Sequence, residues 1–397
     1  MVLQTLNILI AGAGIGGLTA AASLIRAGHH VRVFEQAPQL AEIGAGIQMS
    51  ANAMHVLNHL GLGPAIARVG VRPQAYVFKL FDTGEVIQRF ALSEEHERVN
   101  GAPYYQMHRA DLHELLADTV RALDPAAIRL NHKVVGFREN ANGVELQFAD
   151  GKTARGDLLI GADGLKSAVR QQIAGNVPAT YTGDAAWRVT LPAASVPPGV
   201  VDQVMSVWMG PGGHFIAYYI RANAALLNFV GLVETDDVSE ESWTAKFPWT
   251  KFKRDFAGWH DDVQTLIDAA DRDECYRWSL FSRAPIANWS TPRVTLLGDS
   301  AHPTLPYLAQ GAAMAIEDGI VLTRALAMAP SIGEALQLYQ RNRIGRTSRI
   351  VEQSKANRAL FHMRDADEIR AHFARRDEGA ERNVWLYSYN PLTVPLV

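Results

Sequence analysis

The rhythm of apolar and polar positions changes several times along the chain. Near the start, Asn7-Ile8-Leu9-Ile10-Ala11 is a short apolar run of the kind that forms a strand covered on both faces. Helical spacing follows over 18–27 and stops at Gly28, and Val31-Arg32-Val33-Phe34 predicts a second strand. Residues 49–60 predict a helix closed by Gly61. Residues 76–81 and Val86-Ile87, joined by Asp82-Thr83-Gly84, predict a hairpin. A strand is expected over 104–108 and a helix over 111–123. Val144, Leu146 and Phe148 alternate with Glu145 and Gln147, so one face of that strand is wet, whereas Leu158-Leu159-Ile160 reads as fully buried.

Between about 180 and 280 the texture shifts to short β-rich runs, at 203–209, 214–220 and 226–233, parted by Gly and Pro. A buried strand returns at 294–297, followed by helices over 312–327 and 332–357. The expected class is α/β: a Rossmann-like nucleotide domain, an inserted, mainly antiparallel β-sheet substrate domain, and C-terminal helices. The nucleotide domain takes 1–74, 104–180 and 278–330, the inserted domain takes the hairpin at 75–103 with 181–277, and helices fill 331–397. Arg341, Arg343, Arg346 and Arg349 read as a solvated helix face.

Composition narrows the picture. A chain of 397 residues exceeds what one core usually holds. A formal charge of −3 argues against a nucleic-acid partner. Cys275 is the only cysteine, which excludes an intrachain disulfide and a cysteine-based zinc site and fits a cytoplasmic protein. No charge precedes Arg26, yet the start lacks a basic segment and holds glycines at 12, 14, 16 and 17. Neither a signal peptide nor a membrane span is expected there.

Those glycines carry the first chemistry. Gly12-Ala13-Gly14-Ile15-Gly16-Gly17 fits G-x-G-x-x-G between a strand and a helix, and Glu35 closes the next strand. Gly12 permits the tight turn, Gly14 lets backbone approach a pyrophosphate, and Gly17 lets the helix pack on the strand. The helix N-terminus offers N–H groups to the phosphates, and Glu35 can hold a ribose diol. A carboxylate there repels a 2′-phosphate, which leaves NAD and FAD both open.

Two later segments complete a pattern. Asp157-Leu158-Leu159-Ile160-Gly161-Ala162-Asp163-Gly164 is a strand and turn leading to a helix, and Leu296-Leu297-Gly298-Asp299-Ser300-Ala301-His302-Pro303 is a strand ending in Gly-Asp. With the glycine turn, they resemble the three signature segments of the single-component (class A) flavoprotein aromatic hydroxylases. That family includes salicylate, 3-hydroxybenzoate and 6-hydroxynicotinate monooxygenases, and the resemblance runs through essentially the whole chain. It implies FAD as cofactor, NADH or NADPH as a transient co-substrate, O2, and a flavin C4a-hydroperoxide that hydroxylates a small phenolic or hydroxylated N-heteroaromatic acid.

The resemblance also implies site residues. Asp299 would accept bonds from the ribityl chain, while the helix at Gly311 and Ala312 would aim N–H groups at the flavin pyrimidine. Arg109 would contact FAD, or else pair with Asp111, and Asp163 would reach the phosphates through water or backbone. The loop Ile43-Gly44-Ala45-Gly46-Ile47-Gln48 would pass beside the isoalloxazine ring. His214 and Tyr218, on one face of a strand, resemble the base and tyrosine that meet the substrate, with Tyr104 and Pro306 as further pocket residues. His302 either faces the site or caps the turn. Arg188 reads as a buried ion pair, or as a carboxylate partner.

Two positions depart from the relatives. Pro306 stands where 3-hydroxybenzoate hydroxylases have glutamine, and Gln48 where hydroxynicotinate hydroxylases have histidine, so neither substrate transfers directly. The alternative class is a flavoprotein oxidoreductase without hydroxylation, of NADH oxidase type. A colourless NAD dehydrogenase or nucleotide-binding regulator is a third. A homodimer is compatible with all of these.

Overall fold

The computed structural model describes residues 4–40, 45–238, 245–374 and 379–397. The apolar runs recognised in the sequence form a parallel sheet of five strands, in the spatial order Val294–Leu296, Leu158–Gly161, Asn7–Ala11, His30–Phe34 and Ile128–Arg129. Its central strands are sealed on both faces, with Ile8, Leu9, Ile10 and Ile160 showing no exposure. The helices Ile15–Arg26 and Gly311–Met328 pack against each other beside this sheet. Both begin at the carboxyl ends of its strands, where open α/β sheets place ligands.

A second sheet has seven strands. The hairpin Ala75–Leu80 and Val86–Ala91 forms one edge and joins the insertion through parallel pairing of Tyr76–Leu80 with Met205–Met209. The strands Met205–Gly210, Gly213–Tyr219, Leu226–Glu234, Thr180–Pro192 and Tyr276–Ser282 follow as an antiparallel run. On the strands Thr180–Pro192, Gly213–Tyr219 and Leu226–Glu234, odd positions, among them Trp187, Phe215 and Phe229, bury against Phe252 of the helix Trp249–Asp255, Phe256 just after it, and Val263 of the helix Asp261–Asp268. Even positions look the other way, toward the parallel-sheet body.

One strand had no run of its own in the sequence, and one expectation needs correction. The strand Thr180–Pro192 opens the β-rich stretch and carries a fully buried Asp184. A charge in that place disguises a core strand. The arginine run is likewise no solvated face, because Arg343 is fully buried and the side chain of Arg346 is only 9% exposed. Both lie on the helix Ile332–Phe361 and pair with Glu317 and Asp318, two acids buried in the neighbouring helix Gly311–Met328. Arg341 and Arg349 are exposed, as the solvated-face reading had them, with Arg349 lying over the ring of Trp385.

Candidate active site

A cavity of about 400 Å³ lies between the ends of the parallel strands and the even-numbered face of the seven-stranded sheet. That volume suits a ring system rather than a few waters. On the parallel-sheet side, its wall is backbone. Gly12 has φ of +99°, and a Cβ on it would meet the Ala162 carbonyl oxygen at 2.3 Å; a Cβ on Gly17 would meet the Gly12 oxygen at 2.2 Å. Those two glycines are demanded by the fold itself. Gly14 differs, because a Cβ there meets nothing within 4 Å and the residue lines the cavity.

Two helix starts converge on this space. Ile15–Arg26 begins at Gly14 and Gly311–Met328 begins at Gln310, in both cases with no side chain capping the first N–H groups. Gly311 and Ala312 line the cavity. Bare N–H groups at a helix start favour an anion or an electron-rich oxygen. The arrangement therefore fits the phosphate and pyrimidine ends of a flavin nucleotide.

The Gly-Asp turn between them is held from behind. Gly298, with φ of +64°, donates its N–H to Asp318 Oδ2 at 3.0 Å. His302 Nε2 lies 2.6 Å from the same oxygen, so His302 braces the turn. Asp318 is kept ionised by His302 and Arg343, which outweigh its burial and hold its carboxyl down at about 2. Asp299 lines the cavity with its side chain open to it, and desolvation by the surrounding fold raises its carboxyl above the ordinary range against the pull of His302, Arg109, Arg170 and Arg283. Arg109 lines the cavity at the start of helix Arg109–Leu123, while Asp111 pairs instead with Arg221 at 3.2 Å.

Two other expected cofactor residues are bonded to the turns around them. Glu35 accepts hydrogen bonds from the Ala13 and Ala37 N–H groups, each at 2.9 Å, and thereby ties the end of its strand to the glycine turn. The Asp163 carboxylate accepts from Ser167 Oγ at 2.5 Å and from the Ala168 N–H at 2.8 Å, capping the helix Ala168–Ala174. Its neighbours Ala162, Gly164 and Leu165 form the cavity wall there. Of the flavin-side loop, residues 43 and 44 lie outside the described residues, whereas Ala45, Gly46, Ile47 and Gln48 line the cavity.

The opposite wall is the sheet face, and strand register sets its layout. His214 is paired with Leu232, Leu232 with Ala186 and Ala186 with Trp278. The next row holds Ile216, Val230 and Arg188, and the next Tyr218 and Asn228. All but Asn228 line the cavity. His214 and Tyr218 thus share one face, as their spacing predicts.

Each polar group on that wall is oriented. His214 Nδ1 lies 3.1 Å from His362 Nε2, so Nε2 is the nitrogen with which His214 can meet a ligand. Burial, with His362 adding to it, holds the His214 imidazole well below its ordinary range, so it rests neutral. Tyr218 packs over Gly46, where a Cβ would meet its hydroxyl at 2.5 Å. Burial pushes its phenol up to about 12, against a hydrogen bond with Gln48. Gln48 Oε1 also accepts from Tyr104 OH at 2.6 Å, which places Tyr104 behind Gln48 rather than on the cavity wall. Arg188 faces the cavity with its guanidinium 4.4 Å from the Trp278 ring centre. Pro306 opens a short 3-10 turn, Pro306–Leu308, on the cavity rim.

Several residues here gave no signal in the sequence. Trp278 has no motif around it, Asp318 sits inside an ordinary helical pattern, and His362 lies just past the end of one. Only contact across the fold gives them meaning.

A family model described as an FAD binding domain matches residues 5–354. The chain is 37% identical to a 3-amino-4-hydroxybenzoate 2-monooxygenase of Streptomyces cremeus, over 98% of this chain and 96% of that one. It is 34% identical to a 6-hydroxynicotinate 3-monooxygenase of Pseudomonas fluorescens, over 99% and 97%. Among solved structures, HpxO of Klebsiella pneumoniae, complexed with FAD and uric acid, superposes with a TM-score of 0.84 at 27% identity, over 97% and 96%. Uncapped helix starts aimed at one cavity, a polar sheet face opposite, and relatives matched almost end to end agree: the chain belongs to the FAD-dependent aromatic hydroxylase family.

Proposed function

We propose that the cavity takes a small aromatic or N-heteroaromatic acid with a ring hydroxyl and hydroxylates that ring, at the expense of NADH or NADPH and O2. One observation carries this reading. His214, Tyr218 and Arg188 stand on a single rigid sheet face, directly across the cavity from the glycine turn and the Gly-Asp turn. The relatives named for aminohydroxybenzoate and hydroxynicotinate chemistry support the same substrate class.

Bound FAD supplies the reduction and the activation of oxygen. This chain's residues do the rest. The uncapped starts of Ile15–Arg26 and Gly311–Met328 hold the phosphates and the pyrimidine edge, and Asp299 accepts from the polyol. His214 Nε2 takes the ring hydroxyl's proton as the ring turns nucleophilic; its neutral resting state suits that task. Tyr218 stays protonated at working pH and offers a hydroxyl oriented by Gln48. Arg188, flattened on Trp278, supplies the cation for the carboxylate. Leu232, Val230, Ile216 and Leu280 keep water away from the ring.

The test is NAD(P)H consumption across a panel of hydroxylated aromatic acids, with product mass and coupling to oxygen insertion recorded. A yellow protein giving one hydroxylated product bears the reading out, and His214→Ala should retain flavin yet slow hydroxylation by roughly 10²–10⁴-fold. Peroxide alone across the whole panel would reject it in favour of oxidase chemistry.

A further inference from the structure

Behind His214 lies a second polar layer that the cavity does not touch. His362 follows the helix Ile332–Phe361, and its Nε2 meets His214 Nδ1 at 3.1 Å. Its other nitrogen, Nδ1, has no aligned partner and lies 3.5 Å from Glu234 Oε1 and 3.8 Å from Asp184 Oδ1. The sheet explains why two acids meet there. Asp184 and Glu234 are direct cross-strand neighbours, one row beyond Ala186 and Leu232 on the face that carries His214. Like charges opposite one another repel, and Arg358 offsets this by bonding Asp184 through Nε and Nη2 and lying 3.5 Å from Glu234.

The two carboxylates then differ in use. Asp184 is fully buried and saturated, with Arg358 on both oxygens and the Tyr307 hydroxyl donating to Oδ2 at 2.6 Å. Glu234 keeps 31% of its side chain in solvent, beside the exposed Arg364 at 2.7 Å. The groups facing His362 are therefore His214, Asp184, Glu234, Arg358 and the Tyr307 ring, with Arg364 one step further out.

We propose that His362 and Glu234 form a proton relay that connects His214 to solvent. This rests on the reading of His214 as the group that meets the ring hydroxyl. As His214 Nε2 takes the hydroxyl proton, the proton on its Nδ1 passes to His362 Nε2, and the proton on His362 Nδ1 passes to the Glu234 carboxylate and on to water. One N–H or O–H bond breaks for each that forms, and no redox change is involved. The reverse transfer returns a proton when the hydroxylated ring regains aromaticity. The relay spares the site a buried imidazolium, whose desolvation is costly. His362 touches no substrate, so it acts as a positioning and relay residue.

The experiment uses flavin-loaded enzyme and the acid from the panel that turns over fastest. It compares wild type with His362→Gln, Glu234→Gln and His214→Ala. Glutamine at 362 keeps a hydrogen-bonding partner for His214 but cannot exchange protons between two nitrogens. The expected result for His362→Gln is unchanged flavin content, KM within about twofold, and kcat lower by ~10–100-fold. The kcat–pH profile should change shape, and the wild-type dependence on solvent deuterium fraction, curved by several protons in flight, should become linear. Glu234→Gln, at the exposed end, should show the same signature more weakly. It decides the question if His362→Gln does not fold. Wild-type kcat and pH profile in these variants, or a change in flavin content and KM alone, would overturn the relay while His214→Ala remains slow. A wild-type rate in His214→Ala would instead overturn the base assignment on which the relay rests.

Discussion

At the scale of single residues, the glycine turn separates two demands usually written as one motif. Gly12 and Gly17 are required by the protein's own backbone, because added Cβ atoms would strike carbonyl oxygens at 2.3 and 2.2 Å. Gly14 meets nothing and has φ of −71°, which any residue adopts. Its bareness therefore serves the ligand. Gly14→Ala should fold with unchanged apoprotein stability but bind FAD markedly less tightly, as read by flavin release on dialysis and by titration. Gly12→Ala, with a positive φ and a backbone clash, should lose stability itself, by ~1–3 kcal/mol or more in denaturant unfolding. Equal flavin affinity in Gly14→Ala and wild type would contradict this division of labour. The motif was legible in sequence because its glycines sit at fixed spacing between a strand and a helix; Gly17 meets Gly12 within the motif, whereas Gly12 meets Ala162, 150 positions away, which only the fold reveals.

At the scale of elements, the helices Gly311–Met328 and Ile332–Phe361 are locked by charges that sequence patterning assigned to water. Arg343 bonds Asp318 at 2.6 Å and Glu317 at 2.7 Å, and Arg346 bonds Glu317 at 2.7 Å. Glu317 also accepts from Asn52 at 2.6 Å, which joins the helix Ala51–His59 to the network. These partners come together only when the helices pack, so no short window of sequence reveals them. The same holds for the strand Thr180–Pro192, whose buried Asp184 is neutralised by Arg358, 174 positions away. Segments with local logic, such as the hairpin Ala75–Leu80 and Val86–Ala91, were readable in advance. Because Asp318 also holds the Gly298 N–H and His302, Asp318→Asn should cost ~3–5 kcal/mol by leaving Arg343 short of a buried partner. It should also loosen flavin. Acid should act the same way. The folded carboxyl sits at about 2, below the unfolded value near 3.8, so its contribution is complete above that unfolded value and is lost as pH falls toward 2. The amount at stake is on the order of 2 kcal/mol. Chemical denaturation from pH 6 down to 3 should show wild type losing stability more steeply than Asp318→Asn, and parallel curves would remove Asp318 from the account.

At the scale of the whole molecule, the cavity is a seam between two sheets that share little covalent logic. The parallel sheet supplies backbone N–H groups and a buried ionic brace; the seven-stranded sheet supplies side chains in register. A ligand lying in the seam touches both, so it stabilises their union and not one part alone. Linkage makes this measurable. At a free FAD concentration 100 times the dissociation constant, the folded state gains about 2.7 kcal/mol if the unfolded chain does not bind. For a chain of this length that amounts to a rise of roughly 3 °C in Tm. If the sheets unfold as one unit around the seam, a single transition should move up as a whole when FAD is added to apoprotein. If they are thermally independent, the scan should resolve two transitions, with only the one belonging to the parallel sheet responding. Gly14→Ala discriminates further: its apoprotein should melt with wild type, while its FAD-dependent rise should shrink in proportion to the logarithm of the lost affinity. A full-sized rise in that variant would mean that the flavin is held chiefly by the opposite wall, and the glycine turn would lose its place as the anchor of the cofactor.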